Sequence, residues 1–233
     1  MAAGDVDAKI TSNNSRAGAF FDRVDDKITY SISQQPKTLS FWINPRIVDN
    51  QIIVVRNPAN DYFGMRSAGY WSIYGDGSWS VTTANAIKDT WQHVAYVWAG
   101  TGYIVYLNGV AYETTTDPEI KPSEFGVSSN QTIPGALGDV KFWNRVLTTA
   151  EILKDYAGQP ITDGLIHRWK LSKDYKDSVG TADGTNSGTF LAIKDDAIAA
   201  AIKTQRTTAN DVYLMAGFKD NGQIVSAVIE EAP

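Results

Sequence analysis

Short apolar stretches alternate with turn-forming residues along most of the chain between Phe20 and Trp143. The stretches recur at intervals of roughly 8 to 12 residues and lack the 3.6-residue period of an amphipathic helix. β-Branched and aromatic residues are concentrated at 38–43, 51–55, 70–74, 79–82, 93–98 and 103–107. The pattern therefore predicts an all-β protein, a two-sheet antiparallel jelly-roll sandwich.

Turn signals between these stretches indicate hairpins. Gly75, Asp76 and Gly77 separate two predicted strands, and Asn108-Gly109 follows another. Asn-Gly suits a two-residue turn because both positions require a positive φ.

One helix is predicted after the last of these strands. Thr148 and Glu151 have the spacing of a capping box, Gly158 lies where a left-handed C-cap is expected, and Pro160 prevents continuation. The sequence therefore predicts a short capped helix inside an otherwise β chain.

The C-terminal part changes character. Residues 164–171 indicate a further strand and 174–188 a polar loop, whereas 195–203 indicate a short Ala-rich helix. Two strands at 211–218 and 223–229 flank a hairpin turn at 219–222. A lone helix and hairpin bury too little apolar surface to be stable alone, so we expect them to pack on the sandwich or on a neighbouring subunit.

The predicted organisation therefore has three parts. They are an N-terminal arm at 1–19, a jelly roll at 20–190 and a C-terminal helix-hairpin segment for docking or oligomerisation at 191–233.

Charge and composition exclude several classes of partner. A formal charge of −5 and a pI near 5.0 disfavour nucleic acid, and the absence of cysteine excludes disulfides and thiolate chemistry. A secretion signal needs an unbroken apolar stretch, which Asp5, Asp7 and Lys9 interrupt. No apolar run approaches the ~20 residues of a membrane span. We therefore expect no membrane insertion. If a virus encodes the chain, we expect the protein on the virion surface; otherwise we expect it to be cytoplasmic or exported by a non-classical route.

Five motifs then occur in an order that resembles a known family. They are FDRVDDKI at 21–28, LSFWI at 39–43, WQHVA at 91–95, YLNG at 106–109 and GDVKFWNRVL at 138–147. Together they resemble the laminin-G-like, concanavalin A-like jelly rolls, which include pentraxins and relatives of glucanases. The resemblance covers residues 20–157 and supports the fold better than it supports any ligand.

Two features depart from the family pattern. Arg23 stands where the family has glycine, which puts a tight turn or metal loop there in doubt. Residues 164–171, with Asp177 and Gly180 after them, resemble a segment that usually precedes the opening motif. This segment either starts a second, truncated repeat or folds back onto the first sandwich, and the short remaining length favours folding back.

Catalysis is not predicted. The resemblance to glucanases implies paired carboxylates in a Glu-x-Asp-x-x-Glu string or a close variant, and no such string occurs here. The two histidines, His93 and His167, lie on predicted strands, where a structural role is the better interpretation. A polysaccharide hydrolase is therefore only the third alternative for function.

Calcium is the metal that the resemblance implies, because several relatives bind it through carboxylate and carbonyl oxygens at a sheet rim. The predicted ligands are Asp22, Asp25, Asp26, Asn108 and Asp139. The alternative is that these side chains accept backbone hydrogen bonds at turns.

Aromatic side chains give the strongest indication of ligand binding. Tyr62, Tyr70, Trp71, Tyr74 and Trp79 fall within one Gly-rich stretch. Exposed aromatic rings stack on the C–H faces of sugars, so the cluster suits glycan capture. Alternation places Trp71 on one face of its strand and Tyr70 and Tyr74 on the other. Packing in the core is the competing interpretation for the tryptophans.

Two functions follow from these observations. The first is a non-catalytic binding or adhesion module, displayed on the outside of an assembly, that binds carbohydrate. The second is a structural protein of a virus particle, such as a phage capsid decoration, head fibre or tail component, which docks through the C-terminal segment. In either case we expect a homo-oligomer, because edge strands must be covered or paired.

Overall fold

A computed structural model shows two stacked antiparallel sheets and one helix. It describes residues 17–22, 26–48, 51–57, 61–66, 68–112, 119–127, 129, 131–191, 212–218 and 224–231. The predicted all-β jelly-roll class is confirmed.

The elements follow the chain in this order: β1 (Ala19–Asp22), β2 (Lys27–Thr29), β3 (Thr38–Pro45), β4 (Ile52–Arg56), β5 (Tyr62–Arg66), β6 (Tyr70–Gly75), β7 (Ser78–Asn85), β8 (Gln92–Trp98), β9 (Tyr103–Leu107), β10 (Val110–Tyr112), β11 (Glu124–Gly126), β12 (Pro134–Trp143), α1 (Thr149–Tyr156), β13 (Leu165–Trp169), β14 (Thr185–Ser187), β15 (Phe190–Leu191), β16 (Val212–Phe218) and β17 (Ile224–Glu231).

Sheet A contains β10, β9, β8, β3, β12, β1 and β15 in that order, with β13 also paired to β12. Sheet B contains β14, β2, β11, β4, β5, β6 and β7. Side chains that alternate inward from both sheets form one core, in which Phe41 of sheet A contacts the ring of Trp71 of sheet B.

The predicted turns have the expected backbone conformations. Asn108 and Gly109 adopt φ values of 51° and 82°, which is the pair of positive angles that an Asn-Gly hairpin requires. Asp76 and Gly77 also adopt positive φ values, between β6 and β7. Both hairpin predictions are confirmed.

The predicted helix is α1. The Thr148 hydroxyl accepts a hydrogen bond from the Glu151 amide, and the Glu151 carboxylate accepts one from the Thr148 amide, which completes the capping box. Gly158, after the helix, adopts a φ of 75°. Helix α1 packs on the outer face of sheet A, where Ile152 is fully buried beside Trp143 and Ala95.

The segment after α1 folds back onto the same sandwich. Strand β13 pairs antiparallel with β12, and Trp169 completes the aromatic core with Phe142 and Phe125. The prediction of a polar loop over 174–188 is wrong at its end, because Thr185–Ser187 pairs with β2 as β14. Its polar sequence is compatible with a strand because β14 lies at the edge of sheet B, where its side chains remain largely exposed.

At the C-terminus β16 and β17 form a separate two-stranded sheet. The predicted helix at 195–203 and the predicted turn at 219–222 lie outside the described residues. Within the described part of the chain, no helix is both long enough and apolar enough to cross a membrane.

Candidate functional site

One outward-facing residue from each strand of sheet B lies in register with the next, and together they form a line across the whole sheet. We name this set the cross-sheet row. In strand order it consists of Thr185, Thr29, Glu124, Arg56, Tyr62, Tyr74 and Trp79. Neighbouring residues in the strands, such as Ile28 and Phe63, face the core, so the row lies on the outer face.

The row ends in three aromatic rings that contact one another. Tyr62 stacks on Tyr74 with ring centroids 4.9 Å apart, and Trp79 meets them edge-on at 5.1 and 5.3 Å. Tyr62 is only 5% exposed, and burial raises the pKa of its hydroxyl above the ordinary value. The rings of Tyr74 and Trp79 remain half-buried, so these two are accessible to a ligand.

Hydrogen-bonding groups border the aromatic rings. The Arg56 guanidinium donates to the Glu124 carboxylate at 2.7 Å, in the middle of the row. Gln51 donates to the Tyr62 hydroxyl at 3.1 Å, and the Arg66 guanidinium lies over Trp79, 4.8 Å from the ring centroid. The face therefore combines aromatic surface with several polar groups.

The structure separates the five aromatic residues that the sequence predicts for ligand binding. It brings together Tyr62, Tyr74 and Trp79. Trp71 is 0% exposed and packs between the sheets, so its prediction as a ligand-binding residue is wrong; the period of two turns it inward. Tyr70 lies further along β6, opposite Arg66 and Asn85.

Four members of the row were not predicted from the sequence: Thr29, Arg56, Glu124 and Thr185. They come from strands far apart in the chain, and only the pairing of β14, β2, β11 and β4 aligns them. Local patterning indicates which residues of a strand share a face but not which strand lies beside it.

The predicted calcium ligands that the structure describes contact other groups of the protein. Among the residues that the structure describes, no three His, Cys, Asp or Glu side chains are grouped closely enough to hold a metal ion. Asp139 is occupied by Lys141 and Arg168, and Asn108 accepts a hydrogen bond from the His93 amide. Asp26 accepts one from the Asp22 amide, as a turn carboxylate would. Asp25 lies outside the described residues, so calcium binding by its loop stays a prediction.

A buried polar network attaches α1 to the outer face of sheet A. The Asp155 carboxylate accepts hydrogen bonds from Ser40 at 2.7 Å, from His93 at 2.9 Å and from Lys141 at 2.7 Å. Burial alone would raise the pKa of Asp155, but His93 and Lys141 hold that pKa well below its usual range. His93 therefore helps to attach α1 to sheet A, through its hydrogen bond to Asp155.

The second histidine, His167, contacts an aspartate that fixes a loop. The Asp177 carboxylate contacts the His167 ring at 2.6 Å and accepts backbone N–H bonds from Arg168, Gly180 and Ala182. One side chain therefore fixes the loop that leads from β13 to β14.

A family model described as the concanavalin A-like lectin/glucanases superfamily matches residues 11–153, which is more than half of the chain. The protein belongs to this superfamily. The resemblance predicted from the five sequence motifs is confirmed. No curated protein sequence matches the chain significantly.

Solved structures resemble the chain at low sequence identity. A candidate carbohydrate-binding protein from Bacteroides ovatus superposes with a TM-score of 0.63 at 16% identity, over 78% of this chain and 60% of that protein. The chain thus spans about 60% of its length. A heptameric SAP-like pentraxin from Limulus polyphemus gives a TM-score of 0.49 at 18% identity, over 75% of this chain and 97% of the pentraxin. At 16% identity, the likeness to the Bacteroides ovatus protein shows the fold alone.

Proposed function

We propose that this protein is a non-catalytic carbohydrate-binding module whose ligand lies along the cross-sheet row. The observation that carries the proposal is the aromatic surface of Tyr74 and Trp79, which continues in register into the charged Arg56–Glu124 pair. Membership of a superfamily named for lectins and glucanases, and the fold shared with the Bacteroides ovatus protein, support it.

The chemistry of the row suits a sugar better than an apolar ligand. A pyranose ring presents an apolar C–H face, which packs on aromatic rings, and hydroxyl groups at its edge, which need donors and acceptors. Arg66, whose guanidinium lies over the Trp79 ring, carries N–H donors, and Glu124 supplies acceptor oxygens further along the row.

The dimensions of the row favour an oligosaccharide over a single sugar. Neighbouring strands lie about 4.8 Å apart, so the three aromatic residues extend over about 10 Å and the polar residues continue well beyond them. A chain of several sugars could therefore contact both parts of the row.

The row supports binding rather than hydrolysis. Glycosidases generally use two carboxyl groups that flank the scissile bond. The row contains one carboxylate, Glu124, and it is paired with Arg56 and approached by Lys27 at 3.8 Å.

Replacement of the accessible rings tests the proposal. Tyr74→Ala and Trp79→Ala should each weaken binding of a neutral oligosaccharide by about tenfold or more, because each removes most of one stacking surface. Ligands would be selected on an array of neutral glycans, and affinities measured by titration calorimetry on the full chain.

Val81→Ala is the matched control. Val81 is the next outward residue of β7 after Trp79 and is 44% exposed, so its truncation should leave affinity unchanged. Absence of binding to every neutral glycan, with and without calcium, would contradict the proposal. So would unchanged affinity in the Tyr74→Ala, Trp79→Ala double variant.

We also propose a second function, a structural protein on the surface of a virus particle that assembles through its C-terminus. It is supported by the β16–β17 hairpin, which forms a sheet of its own, since an isolated hairpin is marginally stable and gains by docking. Native mass measurement of the full chain should then show a homo-oligomer or a complex with particle proteins. A monomer at high concentration, together with absence from purified particles, would refute this function.

A further inference from the structure

An open depression of about 200 Å³ lies on the outer face of sheet A, on the opposite side of the sandwich from the cross-sheet row. Its lining includes Trp42, Gly138, Asp139, Arg168, Lys170 and Ser172. This volume is below the ~300–1,000 Å³ of most small-molecule pockets, so the depression suits one small ring and not an oligosaccharide.

An irregularity in β12 forms the floor. The pairing of β12 with β3 shifts between Gly138 and Lys141, and Asp139 in the shifted segment adopts a φ of 47°. A Cβ atom on Gly138 would lie 2.7 Å from the Ala17 carbonyl oxygen, so a side chain there would clash with the backbone. The close approach of the Ala17 backbone therefore requires glycine at 138, and the Asp139 carboxylate beside it contacts Arg168 of β13.

Charges around the depression are not balanced. Asp139 accepts from Arg168 Nε at 2.7 Å and contacts Lys141 Nζ at 2.8 Å, and Lys141 also bonds to Asp155 at 2.7 Å. Lys170 has no carboxylate partner within the described ranges. Among the described lining residues, two cations, Arg168 and Lys170, face one carboxylate, Asp139. The described lining therefore carries one excess positive charge on a protein whose formal charge is −5.

Arg168 retains donors for a ligand. Its Nε atom is used by Asp139, whereas its two terminal nitrogens make no hydrogen bond to any other described residue. Its side chain is 34% exposed, and Lys170 is exposed beside it. A guanidinium edge with two N–H groups matches the two oxygens of a carboxylate.

We infer that this depression binds one carboxylate-bearing sugar residue of an acidic glycan, through Arg168 and Lys170 with the indole of Trp42 in its wall. The inference rests on the proposed carbohydrate-binding function for the nature of the ligand but uses a different face. A monoanion neutralises the one excess positive charge, whereas a dianion such as phosphate would add a charge facing Asp139. Ser172 supplies a hydroxyl for the sugar.

The test compares acidic glycans with their neutral methyl esters on the full chain. The probes are oligogalacturonate, an alginate oligosaccharide and a hyaluronan oligosaccharide, each with its esterified form. At least one acidic probe should bind about tenfold more tightly than its ester, because a charge-assisted hydrogen bond is roughly twice as strong as a neutral one. Acetate at the same concentration should not compete, since it lacks the ring.

Lys170→Ala is expected to reduce the preference for the acidic form severalfold, because it removes the excess positive charge although the Arg168 donors remain. Lys173→Ala is the matched control, because Lys173 is an exposed lysine three residues further on that does not line the depression. It removes the same charge and should leave the preference intact. Equal binding of every acid and its ester by the unaltered protein overturns the inference, and so does the same loss in both lysine variants.

The Tyr74→Ala, Trp79→Ala double variant separates this inference from the proposed function. If the depression acts as inferred, this variant keeps its preference for the acidic form even where binding of neutral glycans is lost. Loss of the acidic preference in this variant, with Lys170 intact, would place acidic binding on the row and overturn the inference.

Discussion

Asp155→Ala should lower the free energy of unfolding by about 3 kcal/mol, which is a large part of the ~5–15 kcal/mol that stabilises an ordinary domain. The change removes the acceptor shared by Ser40, His93 and Lys141 and leaves three buried donors facing a gap. We place the loss at the lower end of the range for broken buried ion pairs, because Asp139 still contacts Lys141 at 2.8 Å. Urea unfolding followed by far-UV circular dichroism measures it.

Asp163→Ala is the control for this change. The Asp163 carboxylate forms an ion pair with Arg145 at 2.8 Å, but the Asp163 side chain is 86% exposed. Solvent screens such a pair, so the expected loss is at most about 1 kcal/mol. Equal losses at Asp155 and Asp163 would show that the buried network does not stabilise the attachment of α1.

The effect of Asp155→Ala should shrink in acid. Because the folded protein holds the pKa of Asp155 below its unfolded value of about 3.9, the carboxylate contributes fully above that value. Its contribution is lost as the pH falls toward the folded pKa. The stability difference between the two proteins should therefore decrease as the pH falls below about pH 4. A difference that grew in acid would contradict this assignment.

How far the sequence predicts the molecule depends on the range of the interactions. The Asn108-Gly109 turn and the Thr148–Glu151 capping box are local, since each depends on residues within one turn of chain. Both were predicted correctly, as was the sandwich that alternating residues imply.

The network around Asp155 could not be predicted in the same way. Its partners Ser40 and His93 lie 115 and 62 residues away, and they meet only because α1 packs across sheet A. In the sequence His93 belongs to a strand motif. The motif predicts that His93 lies in a strand but does not predict that it bonds to Asp155. An aspartate within a capped helix is equally compatible with solvent exposure, so no local signal marks Asp155 as buried.

Only part of the cross-sheet row could be predicted from the sequence. Its aromatic end comes from β5, β6 and β7, which are consecutive, and the sequence placed these residues in one cluster. Its polar end requires β4 to pair with β11, and β11 with β2, across long stretches of chain. Separating Trp71 from Tyr74 required knowledge of which face is covered, and this becomes definite only when the second sheet is present.

Two tryptophan replacements should differ by about 2 kcal/mol although they remove the same atoms. Trp71 and Trp169 are both 0% exposed, so a change to Phe leaves a similar cavity in each case. The Trp169 indole donates to the Ala182 carbonyl at 2.7 Å. The Trp71 indole nitrogen is buried and has no hydrogen-bond partner among the described residues.

Trp169→Phe should therefore be the more destabilising variant. It leaves the buried Ala182 carbonyl without its donor, whereas Trp71→Phe removes a donor that is already unsatisfied. For a chain of this size, the difference corresponds to a melting temperature about 4–8 °C lower for Trp169→Phe than for Trp71→Phe. Calorimetric melting of both variants measures it, with Trp98→Phe as a control at a half-buried position. If Trp71→Phe proved the less stable variant, the two indoles would differ in packing and not in hydrogen bonding. The loop that Trp169 and Asp177 both fix would then depend mainly on the carboxylate.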